Sequence, residues 1–122
     1  MPFVTISLLK GRPEAYVKAI ADGVNAAVID TMGFPEDDRY QVIHQCEPSC
    51  LEYQDRQAER VMMHLVMRSG RSDDAKKAFY ARVVETLAHN PGIDPGNVFI
   101  TITENNDIDW SFGDGIAQFC TA

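Results

Sequence analysis

Pro2 has the most distinctive potential chemistry in the chain, because it directly follows Met1 and opens an apolar, β-branched segment. If Met1 is removed, the chain begins with a secondary amine at the start of a predicted strand. Burial there favours the neutral amine and is expected to bring its pKa from about 8 towards neutrality. Such an amine serves as a general base or, when protonated, as an electrophile. By position alone, the simplest interpretation of a proline near a terminus is that it avoids helix.

Two charged residues stand at predicted junctions between elements. Asp38 lies in the turn that enters the second predicted strand, and Arg71 follows Gly70 where the third predicted strand meets its helix. Asp is a preferred turn residue, and this is the simplest interpretation of Asp38. Arg71 is either a solvated residue at a helix start or a bidentate clamp for a carboxylate, a role that the guanidinium fork fills better than a lysine.

The charge balance and hydropathy exclude several classes of partner. Eighteen Asp and Glu against eleven Lys and Arg give a net charge of −7, and the longest basic run is Lys76-Lys77. This balance disfavours nucleic acids and anionic lipid surfaces. No stretch approaches eighteen consecutive apolar residues, and no basic segment followed by an apolar one opens the chain. We therefore expect no membrane contact, no signal peptide and a cytoplasmic location.

Metal and cofactor binding are not indicated by the sequence. The three cysteines form no C-x-x-C pair, which fits a reducing compartment better than a disulfide framework. His44, Cys46 and Cys50 are not followed by a further ligand pair, so zinc is a weak interpretation. A phosphate-binding glycine loop and a Gly-x-Ser-x-Gly elbow are both missing. We expect neither a metal nor a cofactor.

An internal repeat organises the elements that must position these residues. Gly11-Arg12 aligns without gaps with Gly70-Arg71, Val24 with Val83, and Gly33 with Gly92. Matching glycines thus bracket matching helical stretches, which indicates a duplicated unit. We interpret residues 1–122 as a single domain with copies at 2–46 and 61–105, a linker at 47–60 and a C-terminal tail at 105–122.

Each copy changes from strand periodicity to helix periodicity and back. The strands are predicted at Phe3–Leu9, Tyr40–Cys46, Val61–Arg68 and Val98–Thr103, with one helix from Pro13 to near Gly33 and a second that begins after the N-cap Ser72. The order β-α-β-β-α-β predicts an α+β fold. Its two right-handed βαβ units form a four-stranded sheet with both helices on one face.

The opposite sheet face and the tail are both expected to be covered. That face mixes polar and apolar side chains, namely Thr5, Ser7, His64, Thr101, Thr103, Phe3, Val66 and Phe99. It is too apolar for free solvent, and the chain has no further element to cover it, so we expect other subunits to do so. In the tail, four apolar residues are predicted to anchor the chain: Trp110, Phe112, Ile116 and Phe119.

The arrangement resembles the tautomerase superfamily, and within it the branch of malonate semialdehyde decarboxylase and its relatives. The resemblance rests on Pro2, Asp38-Arg39-Tyr40-Gln41, Gly70-Arg71-Ser72, Thr103-Glu104-Asn105 and Asp109-Trp110-Ser111-Phe112-Gly113, and it spans nearly the whole chain. It implies a homotrimer with a catalytic amino-terminal proline in each subunit.

The resemblance also implies a role for each matched residue. Pro2 would be the catalytic amine, Asp38 the acid that works with it or activates water, and Arg71 the carboxylate-binding arginine. Trp110 and Phe112 would form an apolar wall, although ordinary packing explains them equally well. Some relatives carry a second arginine where this chain has Ser69. Arg68 stands one position earlier, where a continuing strand points it to the opposite face, and it is the further candidate for substrate binding.

Three functions follow as hypotheses. The leading one is loss of CO2 from a small 3-oxo acid, with hydration as a side activity. In it Pro2 polarises the 3-oxo carbonyl, either as an ammonium or as an iminium. The second is enol–keto tautomerisation of a 2-oxo acid, with Pro2 as the base. The third is a non-catalytic trimeric binding protein. A Pro2 pKa well below 7 favours the tautomerase, and one above 8 favours the decarboxylase.

Overall fold

Two βαβ units build one sheet, as a computed structural model of the chain shows for residues 2–121. The elements are β1 (Pro2–Leu9), α1 (Glu14–Met32), β2 (Tyr40–Cys46), β3 (Val61–Arg68), α2 (Asp73–His89) and β4 (Val98–Asn105). The strand order is β2-β1-β3-β4. β1 pairs parallel with β2, β3 pairs parallel with β4, and the two central strands are antiparallel. The predicted α+β fold is confirmed.

Local sequence explains how the helices begin and end. Ser72 caps α2, since its hydroxyl accepts a hydrogen bond from the Ala75 amide at 3.1 Å. Asp73 and Asp74 in the first turn complement the helix dipole. Gly33 ends α1 in the left-handed conformation, with φ 71°, and its N–H donates to the Ile29 carbonyl. Pro13 is the residue before the helix rather than its first residue, because its ψ of 153° is extended.

The core lies between the sheet and the two helices. Alternate residues of the central strands are buried on that face, namely Val4, Ile6, Leu8, Val61, Met63, Leu65 and Met67. Phe79, Val83 and Leu87 of α2 pack on them together with α1. The helices approach closely at Gly23, where a Cβ atom would lie 3.0 Å from the Thr86 methyl carbon. Both helices therefore cover the same sheet face, as predicted.

The opposite sheet face is partly open. Phe3, Tyr40, Val42 and Phe99 each keep about two fifths of their surface exposed. On the same face, the His64 Nε2 and Thr103 Oγ1 atoms lie 2.8 Å apart. Neither helix within residues 2–121 is long and apolar enough to cross a membrane.

Two strand boundaries differ from the sequence-based prediction. β1 begins at Pro2 rather than Phe3, because Pro2 already lies opposite Met67 of the neighbouring strand. β4 continues to Asn105 rather than ending at Thr103, because β3 offers it a partner as far as Arg68. The Ser69 N–H then donates to the Asn105 carbonyl at 2.9 Å. Both extensions come from pairing partners that local sequence does not reveal.

Candidate active site

The sheet topology gathers the candidate residues at one end of the sheet. β1 starts there, at Pro2. Because β2 runs parallel to β1 and Tyr40 lies opposite Phe3, the turn that carries Asp38 lies beside the start of β1. Because β3 runs antiparallel and Met67 lies opposite Pro2, the segment that leads to Arg71 emerges at the same end. Residues that are far apart in sequence are therefore neighbours here.

Pro2 is buried in β1, on the same side of the strand as Val4. Its position is fixed by the pairing of β1 with β3 rather than by side-chain rotamers. A group held in this way is pre-organised for chemistry at its nitrogen. The predicted removal of Met1 concerns a residue outside the described range.

Asp38 closes a turn, as its residue type suggests. Its N–H donates to the Pro35 carbonyl at 3.2 Å, and the residue is only partly exposed. Asp38 lies two residues before β2, which places it near the end of the sheet at which β1 begins.

Arg71 is held by the C-terminal end of α1 and is not a freely solvated helix-start residue. Its Nε donates to the Met32 carbonyl at 3.2 Å, and its guanidinium carbon lies 3.9 Å from the centroid of the Phe34 ring. Among residues 2–121, no carboxylate forms an ion pair with Arg71. The Nη1 and Nη2 edge of the guanidinium is therefore left for an anion.

The other two arginines at this end of the sheet are neutralised by carboxylates of the chain. Arg68 donates from Nε to Asp107 at 2.9 Å, and its guanidinium lies 3.7 Å from the Phe119 centroid. Arg39 pairs with Asp22 at 2.9 Å. The pKa of Asp22 is lowered by its hydrogen bond with Lys18 and then by the one with Arg39. Arg71 is thus the arginine of the three whose charge is not matched within the described chain.

Trp110 and Phe112 do come together, at a cleft beside β1 and β2. Their ring centroids lie 6.0 Å apart, and Phe112 also faces Tyr40 at 6.5 Å. The cleft has a volume of about 480 Å³ and is lined by Phe3, Tyr40, Val42, Trp110 and Phe112, with Arg39, Gln41 and Ser111. Its walls are mainly apolar, with four aromatic side chains, which suits a small ligand with an apolar part.

The tail is anchored differently from the prediction in one respect. Ile116, predicted as an anchor, is 47% exposed. Phe119, also predicted as an anchor, does pack: its ring lies edge-on against Phe112 with centroids 4.9 Å apart. Gln118 adds two hydrogen bonds, because it accepts from the Phe112 N–H at 2.9 Å and donates to the Gly113 carbonyl at 3.0 Å. Gly113 and Gly115 have positive φ, and the chain folds back there, which turns Ile116 outwards.

Sequence reasoning missed the partners that orient the candidate residues. Phe34 and the Met32 carbonyl hold Arg71, and Asp107 with Phe119 holds Arg68. Nothing in the local pattern around Phe34 distinguishes it from an ordinary core residue.

For residues 2–121, the structure shows no group of three or more His, Cys, Asp or Glu arranged to hold a metal ion.

Comparison with known proteins finds two matching family models, both described as tautomerase enzymes. One matches residues 38–113 and the other residues 2–51. Probable tautomerase YusQ of Bacillus subtilis (strain 168) is 35% identical over 97% of this chain and 98% of its own length. Probable tautomerase YrdN of the same strain is 29% identical over 99% and 98%.

Solved structures agree with these matches. The FG41 malonate semialdehyde decarboxylase inhibited by 3-bromopropiolate is 33% identical, with a TM-score of 0.88 over 96% of this chain and 93% of that one. A fused 4-OT symmetric trimer shares the fold at 15% identity, with a TM-score of 0.82 over 93% and 94%. With family models, full-length relatives and fold in agreement, the chain belongs to the tautomerase family of enzymes.

Proposed function

We propose that this enzyme uses Pro2 as an amino-terminal catalytic amine to decarboxylate a small 3-oxo acid, with 3-oxopropanoate (malonate semialdehyde) as the first substrate to test. The observation that carries the proposal is Arg71, a half-buried guanidinium without a carboxylate partner in the described chain, at the end of the sheet where Pro2 lies. Similarity to malonate semialdehyde decarboxylase at 33% identity supports the same substrate class.

In the proposed mechanism, Arg71 binds the substrate carboxylate through its Nη1 and Nη2 edge. The bond between the carboxylate carbon and C2 breaks, and its electron pair moves towards the 3-oxo carbonyl. In the first mode, an ammonium at Pro2 donates a hydrogen bond to that oxygen. In the second mode, the neutral Pro2 nitrogen has already replaced the oxygen as an iminium at C3, with loss of water, and the electron pair moves to this nitrogen to give an enamine. Protonation of C2 then gives acetaldehyde, with hydrolysis of the iminium in the second mode. Both modes remain part of the proposal.

Asp38 and the aromatic wall have complementary roles in this scheme. Asp38 exchanges a proton with Pro2 or activates water, and the second role accounts for hydration as a side activity. Trp110, Phe112 and Phe119 form a wall that limits water around the substrate. Arg68 is kept as a secondary candidate for substrate binding, because using it requires a competition with Asp107 for the same guanidinium.

The alternative function is enol–keto tautomerisation of a 2-oxo acid. The similarity to two probable tautomerases favours it, and the same Arg71 would anchor the acid while Pro2 moves one proton. A non-catalytic trimeric binding protein is the further alternative, and a retained Met1 would favour it, since an amide nitrogen at Pro2 has no basicity.

A homotrimer is part of the proposal. The exposed apolar residues of the open sheet face need a cover, and a fused 4-OT of the same fold is a symmetric trimer. We propose that the trimer is cytoplasmic and acts without cofactor, metal, nucleic acid or membrane.

Product analysis by 1H NMR separates the enzyme functions. The full-length protein, freed of Met1, is incubated with 3-oxopropanoate and, separately, with the enol form of a 2-oxo acid. The proposal predicts acetaldehyde and CO2 from the first substrate, and a much slower reaction with Pro2→Ala. Rapid ketonisation of the enol without decarboxylation would establish the alternative instead. No turnover of either, with Met1 absent, would reject both.

A further inference from the structure

Arg71 is held on two sides by a single short segment, Met32-Gly33-Phe34. The Met32 carbonyl is one of the last of α1, where carbonyls lack helical partners and the dipole is negative. Arg71 Nε donates to it at 3.2 Å. Gly33, with φ 71°, then turns the chain so that the Phe34 ring lies against the guanidinium at 3.9 Å.

These two contacts restrict different motions of the Arg71 guanidinium. The contact with Phe34 holds the guanidinium over the ring face, since displacement from the ring would lose the cation–π attraction. The hydrogen bond from Nε to the Met32 carbonyl restricts the rotation of the group at that place. With Nε occupied, a carboxylate can be bound in a bidentate manner only through Nη1 and Nη2. The Arg71 guanidinium thus presents one defined edge before any ligand arrives.

Phe34 is well suited to hold the guanidinium because its own ring is packed in the core. It is 2% exposed and belongs to the hydrophobic core. Its ring position is therefore set by the packing of the whole domain. The other arginines of the site differ, because Arg39 and Arg68 are oriented by partly exposed carboxylates, which solvent and salt weaken.

We propose that Phe34 is a positioning residue for substrate binding, which acts by holding Arg71 in the orientation that receives the substrate carboxylate. The inference rests on the proposed function, in which Arg71 binds that carboxylate. Pre-ordering the guanidinium reduces the entropy lost when the substrate binds, so its effect appears in affinity. Phe34 does not contact the reacting atoms in this scheme.

The test compares two core phenylalanines. Phe34→Leu should raise KM for the oxo acid about fivefold with kcat within about twofold. The substrate carboxylate is then bound more weakly by the same amount in the ground state and the transition state, while the reacting groups are unchanged. Phe34→Tyr retains the aromatic face and should keep KM near the wild-type value. Phe79→Leu is the matched control, since Phe79 is equally buried in the same core and contacts Tyr80 rather than an arginine. It should change KM by less than about twofold.

A double-mutant cycle shows whether Phe34 acts through Arg71. In the Arg71→Ala background, Phe34→Leu should produce no further rise in KM. An equal rise in both backgrounds, or equal effects of Phe34→Leu and Phe79→Leu, would overturn the inference while leaving the proposed function intact. An unchanged KM in Arg71→Ala alone would instead reject the carboxylate-binding role, and with it both proposals.

NMR of the Arg71 side chain gives a readout that does not depend on turnover. The Phe34 ring should shift the Arg71 δ protons upfield in the wild type and in Phe34→Tyr, and the shift should vanish in Phe34→Leu. Unshifted protons in the wild type would contradict the positioning role, whatever the kinetics show.

Discussion

Replacing Arg71 with alanine removes the guanidinium that, in the proposed mechanism, binds the substrate carboxylate. In the wild type this group is half-buried, lies over the Phe34 ring and is not matched by a carboxylate among the described residues. A charge-assisted bidentate contact in such a partly desolvated place is worth about 2 to 4 kcal/mol. The predicted loss in kcat/KM is therefore roughly 30- to 1000-fold.

Arg39→Ala is the matched control for this prediction. Arg39 lines the aromatic cleft but pairs with Asp22, and both side chains are about 40% exposed. An ion pair of this kind contributes about 0.2 to 1 kcal/mol to stability. Because the Arg39 guanidinium is already paired with Asp22, Arg39→Ala should change kcat/KM by less than about threefold. Arg71→Lys, which keeps the charge but loses the fork, should lie between the two alanine variants.

The assay follows CO2 release from 3-oxopropanoate by the full-length protein, with circular dichroism and light scattering to confirm that each variant is folded and assembled. Wild-type kinetics in Arg71→Ala would refute the reasoning, because carboxylate recognition would then lie elsewhere. Arg68→Ala is measured beside it, since a large loss there alone would move the binding site to the arginine that Asp107 now holds.

Four other outcomes are expected. Pro2→Ala should lose at least about tenfold in activity even when Met1 is removed, because a primary amine on a freer backbone replaces a fixed secondary amine; full activity would exclude the proline mechanism. Phe112→Ala should lower kcat/KM about tenfold by opening the cleft to water, whereas the exposed Ile116→Ala should stay within about twofold. Light scattering at micromolar concentration should give three times 13.6 kDa, and a 13.6 kDa species would contradict the trimer. Partial burial acts to raise the pKa of Glu59, but hydrogen bonds from Arg12 and Tyr16 outweigh it and leave this pKa below 4.5. The stability from this cluster is present above pH 4.5 and is lost as the pH falls through the folded pKa. Below about pH 5, urea midpoints should fall more steeply for the wild type than for Glu59→Gln, and equal slopes would show that the cluster contributes no pH dependence.

The order and type of the elements follow from local signals in the sequence. Strand alternation in Val61–Arg68 and the Ser72 cap with Asp73 and Asp74 are features of a few consecutive residues, and they predict β3 and the start of α2 correctly. The duplicated unit then limits the topology, because each copy forms a right-handed crossover. Strand ends are different, since Asn105 belongs to β4 only because Arg68 lies beside it.

The candidate site likewise combines features that local sequence reveals with features that depend on residues distant in sequence. Arg71 stands out in the sequence because it follows Gly70 at a predicted strand-to-helix junction and matches a family motif. Its restraint by Met32 and Phe34 is invisible there, because those residues lie in the other copy of the repeat and meet it only in three dimensions. Ile116 illustrates the converse, since an apolar residue in a tail rich in turns looks like an anchor until the positive-φ glycines turn it outwards.

The central claim is that a free amino-terminal proline performs the chemistry, and covalent labelling with propynoate tests it most directly. The Pro2 nitrogen adds to the triple bond, which forms one carbon–nitrogen bond while a proton is delivered to the neighbouring carbon. The full-length protein is labelled to different extents, mapped by peptide mass spectrometry and assayed for residual CO2 release. We predict a chain without Met1, a single adduct on Pro2 and a loss of activity in proportion to labelling. A retained Met1, or adducts confined to Cys46, Cys50 or Cys120 with activity intact, would contradict it.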